Sequence, residues 1–205
     1  MVRMMADARY RREQAGGVYL PHVEPINRLV DELRTDDEWM PYVAPAMGGI
    51  NARLLVIFRD PGPKTRDGQG SGMLSPENDD PSAERLITLL TDAGIEVGDV
   101  MGWNSFPWYI NRKPTSPEVD RGLPVLRRVV ELCPNLKVVM AHGGDAQVAW
   151  KRFRRRYPAD ARGLTTIESY HTSRQALWTP DPAIREQREQ HLRDSFAEAA
   201  DALRA

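Results

Sequence analysis

Five consecutive apolar residues, Leu54-Leu55-Val56-Ile57-Phe58, run without interruption into Arg59-Asp60-Pro61-Gly62-Pro63. A run this short, with no polar face and closed by Pro and Gly, fits a strand buried on both sides in a helix-covered parallel sheet. Further short strands are read at Val100–Ser105, Leu136–Ala141 and Leu164–Ser169. Helical stripes separate these runs. Ile26, Leu29, Val30 and Leu33 fall at i, i+3, i+4 and i+7, and Asp80-Pro81 supplies an N-cap with proline at the first helical position before Leu86, Ile87, Leu89 and Leu90. Ser116-Pro117 opens a further helix, Gly144 to Tyr157 another, and Asp181-Pro182 the last. Strands alternating with helices imply crossover connections and an α/β fold: three layers, α/β/α, around a central, mostly parallel four-stranded sheet. The 205-residue length suits a single domain over residues 1–205, with about residues 1–20 poorly ordered. Met40 to Gly49 and the polar, glycine-rich Lys64 to Asp80 read as loops.

Composition narrows the chemistry. The 28 Lys and Arg nearly balance 29 Asp and Glu, for a net charge of -1, so an anionic partner must be met by a local basic patch. Cys133 is the only cysteine, which excludes an intrachain disulfide framework or a four-cysteine iron–sulfur cluster. No paired ligand spacing suggests zinc, and the expectation is catalysis without metal or cofactor. No apolar stretch approaches the roughly 20 residues of a membrane span, and Met1 to Gln14 is charged rather than signal-like. A cytoplasmic monomer is expected. Gly68 to Gly72 lacks the Lys-Ser/Thr pair and following helix of a P-loop.

Ligands in open α/β sheets bind beyond the carboxyl ends of the strands. Four loops of this chain leave such ends: Arg59 to Pro63, Trp103 to Arg112, His142 to Ala146 and Tyr170 to Gln175. Parallel strands bring them to one edge, where Asp60, Asn104 and His171 can converge. An acid, an amide and an imidazole together suit hydrolysis of a bond whose leaving group is a hydrogen-bonding heterocycle.

That trio, in that order, resembles the uracil-DNA glycosylase superfamily. Arg59-Asp60-Pro61-Gly62 is similar to the water-activating loop, written Gly-Gln-Asp-Pro-Tyr in one branch and Gly-(Ile/Met)-Asn-Pro-Gly in others. Asn104 lies where the family keeps a base-reading Asn, and Asn104 to Arg112 is similar to the Asn…Pro…Asn-Arg segment of the thermophilic-type branch. His171-Thr172-Ser173 resembles the His-Pro-Ser loop. The likeness extends over roughly Gly48 to Leu177. Departures are Phe58 for Gly, Thr172 for Pro, and no Phe in Gly70 to Leu74. The cluster cysteines of the thermophilic-type branch are absent.

The resemblance implies a monofunctional DNA glycosylase acting on a uracil-like or C5-modified pyrimidine, in base-excision repair or in defence against phages with modified DNA. Asp60 would orient water and stabilise an oxocarbenium-like sugar, and His171 would donate to the departing base. Asn104 would read the base edge, with Met73 or Leu74 giving the face where the family often stacks Phe. Gly62, standing where one branch has a thymine-excluding Tyr, would leave room beside C5. His142 admits two readings, pocket wall or packing group. Lys64, Arg66, Arg112, Ser173 and Arg174 are the candidate DNA contacts, and Lys151 to Arg156 reads equally as a phosphate patch or a solvated helix face. Two alternatives stand beside this: a non-catalytic binder of damaged or modified DNA, and a hydrolase of free nucleosides.

Overall fold

A computed structural model describes residues 3–205. Contrary to the expected disorder, the segment from Arg3 onward is structured; Met1 and Val2 lie outside the described residues. A 3-10 turn at Met4–Ala6 leads into helix α1 (Ala8–Gly16), capped by the Asp7 carboxylate, which accepts from the Arg9 and Tyr10 amides. The anchor is Met5, buried in a cluster with Val18, Ala44 and Met73. One apolar side chain in a charged stretch carries no periodicity, so composition hides it. Helix α2 (Glu24–Leu33) follows with the expected buried stripe.

The expected loop Met40–Gly49 contains a short strand, β1 (Tyr42–Val43). After β2 (Leu54–Phe58), the glycine-rich segment holds its partner, β3 (Met73–Leu74), and the two pair in parallel. Buried Asn27 fixes this pair to α2, donating to the Val18 and Val43 carbonyls and accepting from the Val43 amide. One glycine in between serves backbone packing: a Cβ on Gly70 would lie 2.0 Å from the Lys64 carbonyl oxygen.

The remaining elements are α3 (Pro81–Asp92), β4 (Val100–Asn104), α4 (Ser116–Leu132), β5 (Val138–His142), α5 (Gly144–Arg156), β6 (Thr165–Ser169), α6 (Arg174–Leu177) and α7 (Pro182–Arg204). The main sheet has four parallel strands in the order β4-β2-β5-β6, as the alternating pattern predicts. Central β5 is buried throughout, and β2 along all but its last residue, so their sequences are apolar at successive positions. Edge strand β6 alternates between exposed and buried positions instead.

Leu55, Ile57, Met101, Trp103, Val139 and Ala141 face a core shared with α2, α4 and α5. Leu54, Val56, Val100, Val138, Met140 and Ile167 face the second core, under α3 and α7. Each fully buried Leu, Ile or Val contributes on the order of 1.5–3 kcal/mol. Chain direction across the sheet reverses after β4: the first crossover places β4 on one side of β2, the next places β5 on the other. The crevice at such a switch point is where an α/β sheet binds its ligand.

Candidate active site

A cavity of about 280 Å³ opens at the carboxyl ends of β2 and β4. Its walls are the turn after β2, the segment from Leu74 to Asp80, the first turns of α3, and His171-Thr172 from the loop after β6. Phe58 and Asn104 face each other across the β2–β4 register. The Asp60 turn is tied to the next loop: Ser105 N–H donates to the Phe58 carbonyl, while Ser105 Oγ and Phe106 N–H donate to that of Arg59. The turn is thereby fixed before any ligand arrives.

Asp60 lines the cavity with its side chain only 6% exposed, paired with Arg59 Nε. Burial pushes its carboxyl above the ordinary range, while the Arg59 hydrogen bond and charge oppose this. The result is a desolvated carboxylate with raised basicity.

His171 lines the same cavity. Its Nδ1 accepts from the Ser173 backbone amide at 3.0 Å. Burial, and then the Arg59 charge, push its pKa down. A neutral imidazole that accepts at Nδ1 carries its proton at Nε2, so His171 is set as a donor. Gly143, at φ +82°, lets the two loops approach; a Cβ there would lie 3.3 Å from that of His171.

Asn104 is 3% exposed and its Nδ2 has no hydrogen-bond partner among the described residues. Thr172, 1% exposed, leaves Oγ1 equally unpaired. Both line the cavity. An unsatisfied buried polar group costs about 1–3 kcal/mol, which a ligand with matching polar atoms offsets.

Gly62 and Leu74 also line the cavity, and a Cβ on Gly62 would meet no atom within 4 Å. Met73 does not reach it. The β3 pleat turns Met73 to the Met5 cluster and its neighbour Leu74 to the cavity. His142 lies behind the lining: its ring stacks on Phe58 at 5.0 Å and tilts against Phe196. Its Nδ1–H donates to the Tyr170 carbonyl, Nε2 has no partner among the described residues, and burial pushes its pKa down to about 4.

Of the candidate phosphate contacts, Lys64 lines the cavity mouth near Asp79 (3.8 Å). The Arg66 guanidinium covers the Tyr109 ring at 4.9 Å. Arg112 pairs with Glu118 at 2.6 Å and helps hold that carboxyl down at about 2. Ser173 caps α6 and Arg174 is exposed in its first turn. Lys151 to Arg156 occupy the far half of α5, about 10–18 Å down the helix from the strand ends. There Lys151 pairs with Glu168 and Arg152 with Asp120, which favours the solvated-face reading.

Sequence reasoning missed Phe58 and Thr172 as lining groups. Phe58 is the aromatic ring nearest Asp60 in the chain and contacts both histidines, edge-on to His171 at 5.2 Å. Its position directly before the Asp60 turn was the available signal. Among the described residues no three His, Cys, Asp or Glu side chains cluster as metal ligands would, and no helix is long and apolar enough to cross a membrane.

The arrangement can therefore polarise water at a buried carboxylate, hydrogen-bond a planar polar ring, and donate a hydrogen bond from the His171 Nε2–H to a leaving group. No curated protein matches the chain. The family model of the uracil DNA glycosylase superfamily matches residues 45–204, spanning every strand and loop of this cavity, and the chain belongs to that superfamily.

Proposed function

We propose that the protein is a monofunctional DNA glycosylase that releases a uracil-like or C5-modified pyrimidine and leaves an abasic site. What carries the reading is the joint presence, in one cavity, of a desolvated Asp60, a neutral His171 donating from Nε2, and an unpaired Asn104 amide. Superfamily membership supports DNA as the substrate polymer. A base flipped into the cavity meets Asn104 on its N3/O4 edge. As the C1′–N bond breaks, the electron pair leaves with the base, and the His171 Nε2–H stabilises negative charge growing on O2. Water bonds to C1′ and gives its proton to Asp60. No step requires a metal.

Open space at Gly62 leaves the C5 side of the ring unobstructed, so that a C5 substituent can enter the cavity. That tolerance fits excision from modified phage DNA as well as base-excision repair, by a monomer in the cytoplasm. Lys64, Arg66, Arg112, Ser173 and Arg174 supply the phosphate contacts in this reading.

The test is base release from oligonucleotides carrying uracil, hypoxanthine, mismatched thymine or C5-substituted pyrimidines, with alkali to reveal abasic sites. Asp60→Asn is expected to lower release by about 10²–10⁴-fold with DNA affinity retained. The same variant should be more stable than the parent at pH 7. A carboxyl raised in the folded state costs stability once ionised, and that cost disappears at low pH, where both states are protonated. DNA binding without release of any base at enzyme excess would refute the enzyme reading in favour of a non-catalytic binder. Strand cleavage without alkali, keeping pace with base loss, would refute monofunctionality.

A further inference from the structure

The cavity lining runs along β4 behind Asn104. Val100, Gly102 and Asn104 lie on one face of β4, and all three line the cavity. Gly102 is two residues behind Asn104, about 7 Å deeper along the strand. Its neighbours Met101 and Trp103 are buried, yet Gly102 itself is partly exposed. That exposure is to the cavity, beneath α3. Around it stand Met47, Val56, Ala83 and Leu86, with Val100 at the deep end. Trp103 also lines the cavity and its Nε1 has no partner among the described residues, but its ring packs in the core under α2, α4 and α5; the other polar side chains of the lining belong to the strand ends, the loops and the first turn of α3.

Neither conformation nor packing demands glycine at 102. Its φ is not positive, and a Cβ there would lie 3.5 Å from Met47 Sδ, an ordinary contact. Glycine inside a strand weakens it and often marks a close approach by a ligand. What Gly102 leaves is apolar volume in direct line with the base-reading amide.

We infer that this annex receives an apolar extension of the base, so that the substrate class is a nucleobase enlarged along its 4,5 edge by an uncharged, apolar group. The inference rests on the glycosylase reading for the placement of the base. A sugar-bearing cytosine fits poorly, because its hydroxyls would leave water for a wall without hydrogen-bonding side chains. An apolar group displaces no firmly held water, since apolar cavities stay dry.

Two measurements test this on the full chain. In calorimetry, free 5-propynyluracil should bind at least about tenfold more tightly than uracil, the scale of one or a few buried carbons. Gly102→Val, which fills the annex with a strand-forming side chain, should remove that preference. Gly102→Ala should reduce it part way, and covers the case in which the valine variant does not fold. In the second measurement, kcat/KM for release from oligonucleotides containing either base should show the same preference and the same loss. Equal affinity for the two free bases, or a preference unmoved by both substitutions, would overturn the annex. A preference for the free base with no release from any oligonucleotide would instead sink the glycosylase reading and leave the annex standing. Tighter binding of 5-hydroxymethyl- than 5-propynyluracil would overturn the apolar assignment.

Discussion

His142 carries a wager between folding and protonation. The ring is 1% exposed, stacked between Phe58 and the Phe196 side, with Nε2 facing no partner. A second proton would place an uncompensated cation there, so the pKa falls from 6.5 to about 4. The unfolded chain has no such penalty and takes up the proton near 6.5. Between these values the unfolded state binds more protons than the native one, so stability is fully present above about pH 6.5 and is lost as pH falls towards 4. Each pH unit is worth about 1.4 kcal/mol. From pH 7.5 to pH 5 the loss is thus about 2 kcal/mol, and it levels off at about 3 kcal/mol below pH 4. His142→Gln keeps a donor for the Tyr170 carbonyl but does not titrate. Urea unfolding of both proteins at pH 7.5, 6 and 5 isolates the effect, because other titrating groups cancel in the difference. The stability advantage of the parent over the variant should shrink by about 2 kcal/mol across that range. A difference constant with pH would show that the ring takes up its proton without penalty, and that the packing behind Phe58 is looser than described.

Thr172→Val removes a hydroxyl that has no protein partner. It should leave the melting temperature unchanged or higher while lowering kcat/KM for base release by about tenfold, the worth of one hydrogen bond to the ligand; an unchanged kcat/KM would remove Thr172 from the site. In salt titrations of DNA binding, Lys64→Ala, Arg112→Ala and Arg174→Ala should each reduce the slope of log K against log salt by about 1. Arg154→Ala and Arg155→Ala, at the far end of α5, should leave it unchanged.

Strands such as Leu54–Phe58 were legible because a strand buried on both faces has to be apolar at every position, a pattern local to the sequence. Asp60 and Asn104 were legible for a related reason, each being a polar residue at or just after the end of a largely apolar strand, whereas His171 follows the polar edge strand β6 and was legible from the His-Thr-Ser motif. β1 and β3 were not, since two residues held by backbone pairing leave no side-chain period. The same short strand decides between Met73 and Leu74, because only the pleat says which one faces the cavity. His142 ends its strand as Asn104 does, but the ring of Phe58 stands between it and the cavity, and no motif encodes that. Gly102 carries no signal in the sequence alone. Its meaning emerged only once Met47, Ala83 and Leu86 were seen around it.

The family match begins at residue 45, but the cavity wall is braced from outside that boundary. Arg3 pairs with Asp79 and Glu84, the Tyr10 hydroxyl donates to Glu77, and Met5 donates its amide to the Glu77 carbonyl. The segment that the family model matches and the segment that holds the cavity wall therefore have different borders. Substitutions at Arg3, Met5 or Tyr10 would loosen the wall from Leu74 to Asp80 while every residue of the glycosylase-like motifs stays as it is. The shape of the cavity thus depends on an N-terminal brace that comparison of catalytic motifs alone would leave unread.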